Sequence, residues 1–179
     1  MNESENRAHR NDSVSGNNND PATVNSLVVN LASNDGLLRV KARRSLVAIG
    51  GQAVGPLVEA LTASNQWVRW EAAKALGQIG DPAAAQALVG ALEDKIFDVR
   101  WLAAEGLIII GRDSLSPLLH ALLENSDSVW LREGAHHVLH DLAQQGFTEV
   151  LQPVLVALED IDASVEVPLA AKTALRNLA

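Results

Sequence analysis

Five times in this chain an aliphatic residue is followed four positions later by Ala, eight later by Leu and eleven later by Ile or Leu. The copies read Leu38, Ala42, Leu46, Ile49; Val68, Ala72, Leu76, Ile79; Val99, Ala103, Leu107, Ile110; Leu131, Ala135, Leu139, Leu142; and Val167, Ala171, Leu175, Leu178. Such offsets share one stripe of an α-helix but fall on both faces of a strand, so each copy reads as a helix, here helix B. Successive copies begin 30, 31, 32 and 36 residues apart, which leaves room for a second short helix and two turns. That period describes a solenoid of helical hairpins.

The second helix, A, is visible between the copies as apolar runs at residues 27–31, 56–61, 87–92, 117–122 and 153–158. Gly50, Gly80 and Gly111 each follow the last apolar position of a B helix, where a left-handed C-terminal cap suits a residue without Cβ. Asp35, Asn65, Ser128 and Ser164 stand three residues before a B helix's first apolar position and read as N-caps, while Asp81-Pro82 combines a cap with a first-turn proline. Two copies depart from the pattern: Ile96 takes the cap position of the third, and the fourth ends in Ala143 with its glycine delayed to Gly146.

The spellings Val68-Arg69-Trp70-Glu71-Ala72-Ala73-Lys74-Ala75-Leu76-Gly77-Gln78-Ile79-Gly80 and Val99-Arg100-Trp101-Leu102-Ala103-Ala104 resemble HEAT-like repeats, above all those of the phycobilisome-lyase group, over roughly residues 22–179. The resemblance implies an all-α, right-handed α-solenoid of about five HEAT-like hairpins. It says little about activity, because that group includes chromophore lyases, hydroxylases, scaffolds and adaptors. Pro168 replaces the arginine that stands at the same position in the other copies, as Arg39, Arg69, Arg100 and Arg132, so an arginine ladder would break there.

With 47% hydrophobic residues in 179, the repeat region has enough apolar side chains for one continuous core, built of Ala, Leu, Val and Ile because aromatics are only 3%. Residues 1–20 are rich in Asn, Ser, Asp and Glu, and read as a disordered tail before a repeat domain at 21–179. The absence of cysteine excludes disulfides, thiolate nucleophiles and cysteine-ligated metal, and favours a reducing, cytoplasmic setting. A formal net charge of -8 disfavours nucleic acid as partner, and the apolar stretch at 106–111 is too short to span a bilayer. The one basic cluster, Arg39, Lys41, Arg43 and Arg44, reads as a solvated face of the first B helix or as a contact for an acidic segment.

A helical wheel turning about 100° per residue puts offsets 2, 6 and 9 of each B helix opposite the buried stripe. In HEAT-like repeats that face lines a concave groove. It carries Val40, Arg44, Val47; Trp70, Lys74, Gly77; Trp101, Glu105, Ile108; Glu133, His137, His140; and Leu169, Thr173, Arg176. Trp70 and Trp101 stand in register on adjacent repeats, either as oversized spacers between them or as hot spots for a partner. Each could bury roughly 150–250 Å², about 4–6 kcal/mol gross. Association itself costs roughly 4–15 kcal/mol, so a partner must also reach the third and fourth repeats. Trp67 and Trp130 form a second matched pair at the A-to-B turn, covering the hairpin end of the core or forming a rim contact.

The densest chemical group is Glu133, His136, His137, His140 and Asp141, with Glu105 of the preceding repeat as an outside donor. Spacings of four allow a shared metal, a proton-sensitive contact patch or a solvated cluster. Hydroxylases of this fold carry His-Glu pairs on successive repeats, and this chain has none. Gly50-Gly51-Gln52-Ala53-Val54-Gly55 follows a helix with the wrong spacing for a dinucleotide loop. The expectation is a non-catalytic adaptor or scaffold without cofactor or metal. It binds a protein or peptide through Trp70, Lys74, Trp101, Glu105, Ile108, His137, His140 and Arg44. The alternative is a bilin-lyase-like subunit holding a tetrapyrrole in the same groove, with Arg44, Lys74 or Arg176 on its propionates. The last hairpin keeps Val154, Val156, Val165, Val167 and Leu169 beside few charges, which points to self-association or a partner there.

Overall fold

A computed structural model of the chain describes residues 20–178. The expected tail lies outside the described residues except for Asp20. Ten α-helices among the described residues form five hairpins: α1 (Pro21–Asn30) with α2 (Gly36–Ile49), α3 (Gly51–Ala60) with α4 (Gln66–Ile79), α5 (Ala85–Ala91) with α6 (Phe97–Ile110), α7 (Leu115–Glu124) with α8 (Val129–Leu142), and α9 (Thr148–Leu158) with α10 (Ala163–Leu178). The protein is an all-α solenoid. The B helices α2, α4, α6 and α8 stack in order, and α1, α3, α5 and α7 form the other row.

The repeated offsets explain the stacking. Ala42, Ala72, Ala103, Ala135 and Ala171 are buried, as are Leu46, Leu76, Leu107 and Leu139 one turn further on. The first apolar position is at most 7% exposed in Val68, Val99, Leu131 and Val167, but Leu38, on the first of the described hairpins, is 39% exposed. Three B helices end at a glycine of positive φ, Gly50 at 72°, Gly80 at 67° and Gly111 at 75°, a region costly for any residue with a Cβ. Only Gly80 takes the expected left-handed cap, since ψ is -134° at Gly50 and -132° at Gly111. Three of the four expected caps hold, with Asp35 accepting from the Leu37 amide at 2.8 Å, Asn65 from Trp67 at 2.9 Å and Ser128 from Leu131 at 3.2 Å. Ser164 is not a cap, because α10 already begins at Ala163. Residues Phe97–Glu124 are, by length and composition, apolar enough to cross a membrane. They are two helices, however, and the 14 residues of α6 fall short of the about 20 that a spanning helix needs.

The last hairpin departs from the regular pattern. By sequence α10 is a B helix and should lie on α8, but it packs chiefly on α7 and α9, while α9 packs on α8. The two rows exchange occupants. The cause is the delayed glycine: after α8 the chain runs through a five-residue π turn, Ala143–Phe147, and reverses only at Gly146, with φ 112°. Leu169, Thr173 and Arg176 therefore do not extend the face of α4, α6 and α8, contrary to the wheel.

Where α4 and α6 cross, backbone meets backbone. A Cβ on Gly77 would lie 3.1 Å from the Gly106 Cα, and one on Gly106 would lie 3.0 Å from Leu88 Cδ1 and 3.2 Å from the Gly77 Cα. Gly77 is thus a buried spacer and not a groove residue. Gly90, in contrast, has nothing within 4 Å of its virtual Cβ. Alanine is favoured over glycine in a helix by about 0.8–1 kcal/mol. Gly90→Ala should therefore stabilise the protein by about 0.5–1 kcal/mol, whereas Gly106→Ala should destabilise it by about 1–3 kcal/mol through overpacking. Urea unfolding checks the opposite signs, and two changes of the same sign would contradict the packing account.

Candidate functional site

Each of the first four repeats ties its A-to-B turn with one arginine. Nη1 of Arg39, Arg69 and Arg100 donates to the carbonyl six residues back, Ser33, Ala63 and Asp94 respectively, at 2.8 Å in each case, and Arg132 does the same to Ser126. These carbonyls follow the A helix, where the helical ladder leaves acceptors free. Arg69 also holds Asp94 of the next turn through Nε and Nη2 at 2.5 and 3.0 Å, and Asp94 accepts from the Ile96 amide at 2.8 Å. That bond serves the helix start at which Ile96 cannot cap. In the fifth repeat Pro168 lacks the N–H that would bond the Ser164 carbonyl, and the Ser126 hydroxyl donates to that carbonyl instead at 2.9 Å.

The basic cluster of α2 is solvated only in part. Arg43 is buried, with Nε 2.8 Å from Glu71 Oε2 and Nη1 2.6 Å from Gln78 Oε1, and Glu71 itself is 2% exposed. Arg39 Nε stands 3.7 Å from the other Glu71 oxygen. Lys41 and Arg44 are exposed.

The aromatic residues gather at the N-terminal ends of α4, α6 and α8. Trp101 is 48% exposed and lies between Phe97, 6.4 Å away, and the His137 ring, stacked at 4.8 Å. Trp67 and Trp130 each receive a guanidinium from the preceding repeat, Arg39 at 4.9 Å and Arg100 at 4.6 Å, and Arg100 also faces Phe97 at 5.5 Å. Such cation–π contacts join successive repeats through side chains that still reach solvent. A cavity of about 130 Å³ opens between α6 and α8, lined by Phe97, Arg100, Trp101, Ala104, Trp130, Glu133, Gly134 and His137. A wider hollow of about 430 Å³ lies between α4 and α6, lined by Trp70, Phe97, Asp98, Trp101 and Leu102.

One member of each tryptophan pair thus meets the other, since Trp130 lines the same cavity as Trp101, while Trp67 lines neither hollow. Trp70 is half-buried against the core, so it is partly a spacer, and Lys74 Nζ lies 4.6 Å from its ring. His137 Nε2 is 3.0 Å from Glu105 and its Nδ1 is 3.7 Å from Asp141, so Glu105 and His137 bridge the third and fourth repeats. His136 turns to Glu159 at 3.0 Å, and exposed His140 stacks over it at 6.2 Å. The cluster is divided among these partners, and among the described residues no three such side chains are placed to hold a metal ion. Ile108 is half-buried against the core, and Arg44 lies on α2; neither they nor His140 line these two cavities. Phe97 and Arg100 were missed as site residues. Their signal is the aromatic placed just after the failed cap and the ladder arginine that follows it.

The family model for HEAT repeats matches residues 24–108 and 54–139. The chain belongs to the HEAT-repeat family. Similar solved structures include an engineered protein from the Northeast Structural Genomics Consortium, 23% identical over 87% of this chain and 81% of that one, with TM-score 0.47. A designed armadillo repeat protein is 19% identical over 88% of this chain and 83% of its own, with TM-score 0.46. No curated protein matches. The phycobilisome-lyase variety is narrower than this family, and the match does not single it out.

Two consequences of the ion pairs are measurable. Removing Glu71 as Glu71→Ala leaves Arg43 buried without its counter-charge, and should cost about 3–5 kcal/mol in urea unfolding. A loss below about 1 kcal/mol, the scale of an exposed pair, would show that Arg43 swings out to water. Burial works against the charge of Asp94, but the bonds from Arg69 and the Ile96 amide outweigh it and hold the carboxyl below its usual range, while Asp94 raises Arg69. A lowered folded value contributes stability above the unfolded value, near about 3.9, that is lost as pH falls through the folded one. Asp94→Asn should therefore be less stable than the parent chain at neutral pH, with the gap closing below about pH 4. A gap unchanged between neutral and acidic pH would assign the effect to something other than this charge.

Proposed function

We propose that this HEAT-repeat chain is a non-catalytic adaptor or scaffold that binds a protein or peptide over the aromatic groove of α4, α6 and α8. One observation supports this most, the cavity of about 130 Å³ between Trp101 and Trp130. An apolar cavity of about 150 Å³ takes a benzene ring, so this one suits a single aromatic or branched aliphatic anchor. The walls are preformed on packed helices, which lowers the ordering cost on binding. Trp70 and the hollow beside it would take a second anchor, and Lys74, Glu105 and His137 would set register. Ile108, His140 and Arg44 contribute at most outside this centre.

The repeat domain at 21–179, its reducing, cytoplasmic setting and self-association through the last hairpin belong to the same reading. Exposed Val156, Ile161, Val165 and Leu169 support the last of these. A phycobilisome-lyase-like pigment role is the weaker alternative. Lys74 lies beside Trp70, but Arg176 is on α10 in the other row and Arg44 is on α2, so they leave a tetrapyrrole's propionates poorly matched.

Selection of binders from a displayed peptide library tests the groove. Selected peptides should share an aromatic or branched anchor, and Trp101→Ala should weaken them by about tenfold or more, as for a hot spot. The unfolding midpoint should move little, because Trp101 is half exposed. Binding that survives Trp101→Ala and Trp130→Ala together would place recognition elsewhere, and a changed pigment spectrum on mixing with a bilin would revive the alternative.

A further inference from the structure

The two ends of the described solenoid each expose apolar side chains and differ in charge. At the first repeat the B-helix stripe is open: Leu38 is 39% exposed where its counterparts are buried, and Leu37 beside it and Val29 on α1 are exposed. Lys41 holds the position on α2 that Glu71 holds on α4. Glu71 is buried against Arg43 of the preceding helix, so Lys41 faces the place where a preceding helix would lie, and it is exposed. Arg44 is exposed on the same helix.

At the other end, Val156 of α9 and Leu169 of α10 are exposed around a hollow of about 360 Å³ whose polar walls include Asp160 and Glu166. Of the first hairpin's basic residues, Arg39 and Arg43 turn inward to Glu71 of the next repeat, which leaves Lys41 and Arg44 exposed against Asp35 alone. The last hairpin carries Glu149, Glu159, Asp160, Asp162 and Glu166 against Lys172 and Arg176. One end is apolar with basic flanks, and the other is apolar with acidic flanks.

We infer that the chain associates head to tail with a second copy of itself, the α9–α10 end of one molecule covering the α1–α2 end of the next. This rests on the self-association reading above and specifies its geometry. Pairing two α9–α10 ends would set Asp160 and Glu166 against their own kind, whereas Lys41 and Arg44 offer opposite charge. The two surfaces are different, so the contact is heterologous, and each added copy exposes a fresh end. Assembly should grow with concentration and weaken with salt.

Sedimentation velocity of the full chain tests this. The mean sedimentation coefficient should rise between about 1 and about 200 µM, and the rise should shrink from about 0.1 to about 0.5 M salt. Lys41→Glu with Arg44→Glu, and separately Asp160→Lys with Glu166→Lys, should each weaken association by about tenfold or more. Mixing the two variants should restore it, since the intact acidic end of one meets the intact basic end of the other. Circular dichroism establishes that each variant is folded, and Val156→Lys serves as a second variant of the acidic end. A parent chain that stays monomeric throughout would overturn self-association altogether. A Lys41→Glu, Arg44→Glu variant that associates like the parent, or a mixture no larger than its parts, would overturn the head-to-tail contact alone.

Discussion

Close approach of the B helices is the constraint on which the other features depend. At α4 and α6 the contact is Gly77 on Gly106, and the neighbouring stripe is alanine in every repeat. Nothing larger fits between helices at that distance. The larger leucines fill the core one turn away from the crossing, and the aromatic side chains Trp67, Trp70, Phe97, Trp101 and Trp130 project from the helix ends and faces. The aromatic face and the small residues at the crossing are two results of one packing distance. The glycines lower helix propensity, and the dense contact they permit supplies compensating dispersion.

Arginine does the work at the turns that glycine does at the crossings. A carbonyl at the end of an A helix needs a donor, and the ladder arginine supplies it while its plane covers an aromatic ring of the next repeat or grips Asp94. One side chain thus satisfies the backbone locally and fixes the next hairpin's position. Where Pro168 replaces the arginine, the bond to the turn is lost, and Ser126 of the preceding repeat holds instead the Ser164 carbonyl, inside α10, that the proline frees. That substitute accompanies the exchange of rows at the last hairpin, so the break in the ladder and the break in the solenoid coincide.

The repeat, its helices and most of their caps were legible because they are set by local periodicity. A period-3.6 stripe and a positive-φ glycine need no knowledge of the neighbours. What could not be read is what two repeats do to each other. Arg43 and Glu71 are 28 residues apart, and a wheel drawn on one helix puts each on a flank of the buried stripe without showing what lies across from it. Gly77 fell on the outward face for the same reason, since the wheel omits α6. Trp130 was assigned to a turn and Trp101 to a groove, yet they share one cavity because adjacent helices are staggered. The 36-residue spacing and late Gly146 did mark the fourth-to-fifth junction as different. They did not say that the rows would exchange, because that depends on where the lengthened turn delivers α9.

The aromatic face has two boundaries, and they limit what can occupy it. On one side the Arg43–Glu71 pair closes the space between α2 and α4. On the other, α9 replaces α10 beside α8 and ends the register of offset-two residues. Three helices remain, and at about 8–10 Å between neighbouring axes the face spans roughly 20 Å. An extended strand covers that length with about six residues and an α-helix with about thirteen. Adjacent hollows one repeat apart then correspond to anchors about three residues apart in an extended segment, or about seven apart on a helix. On the proposed reading, these dimensions suit a short linear segment with two spaced apolar anchors better than the broad surface of a globular partner.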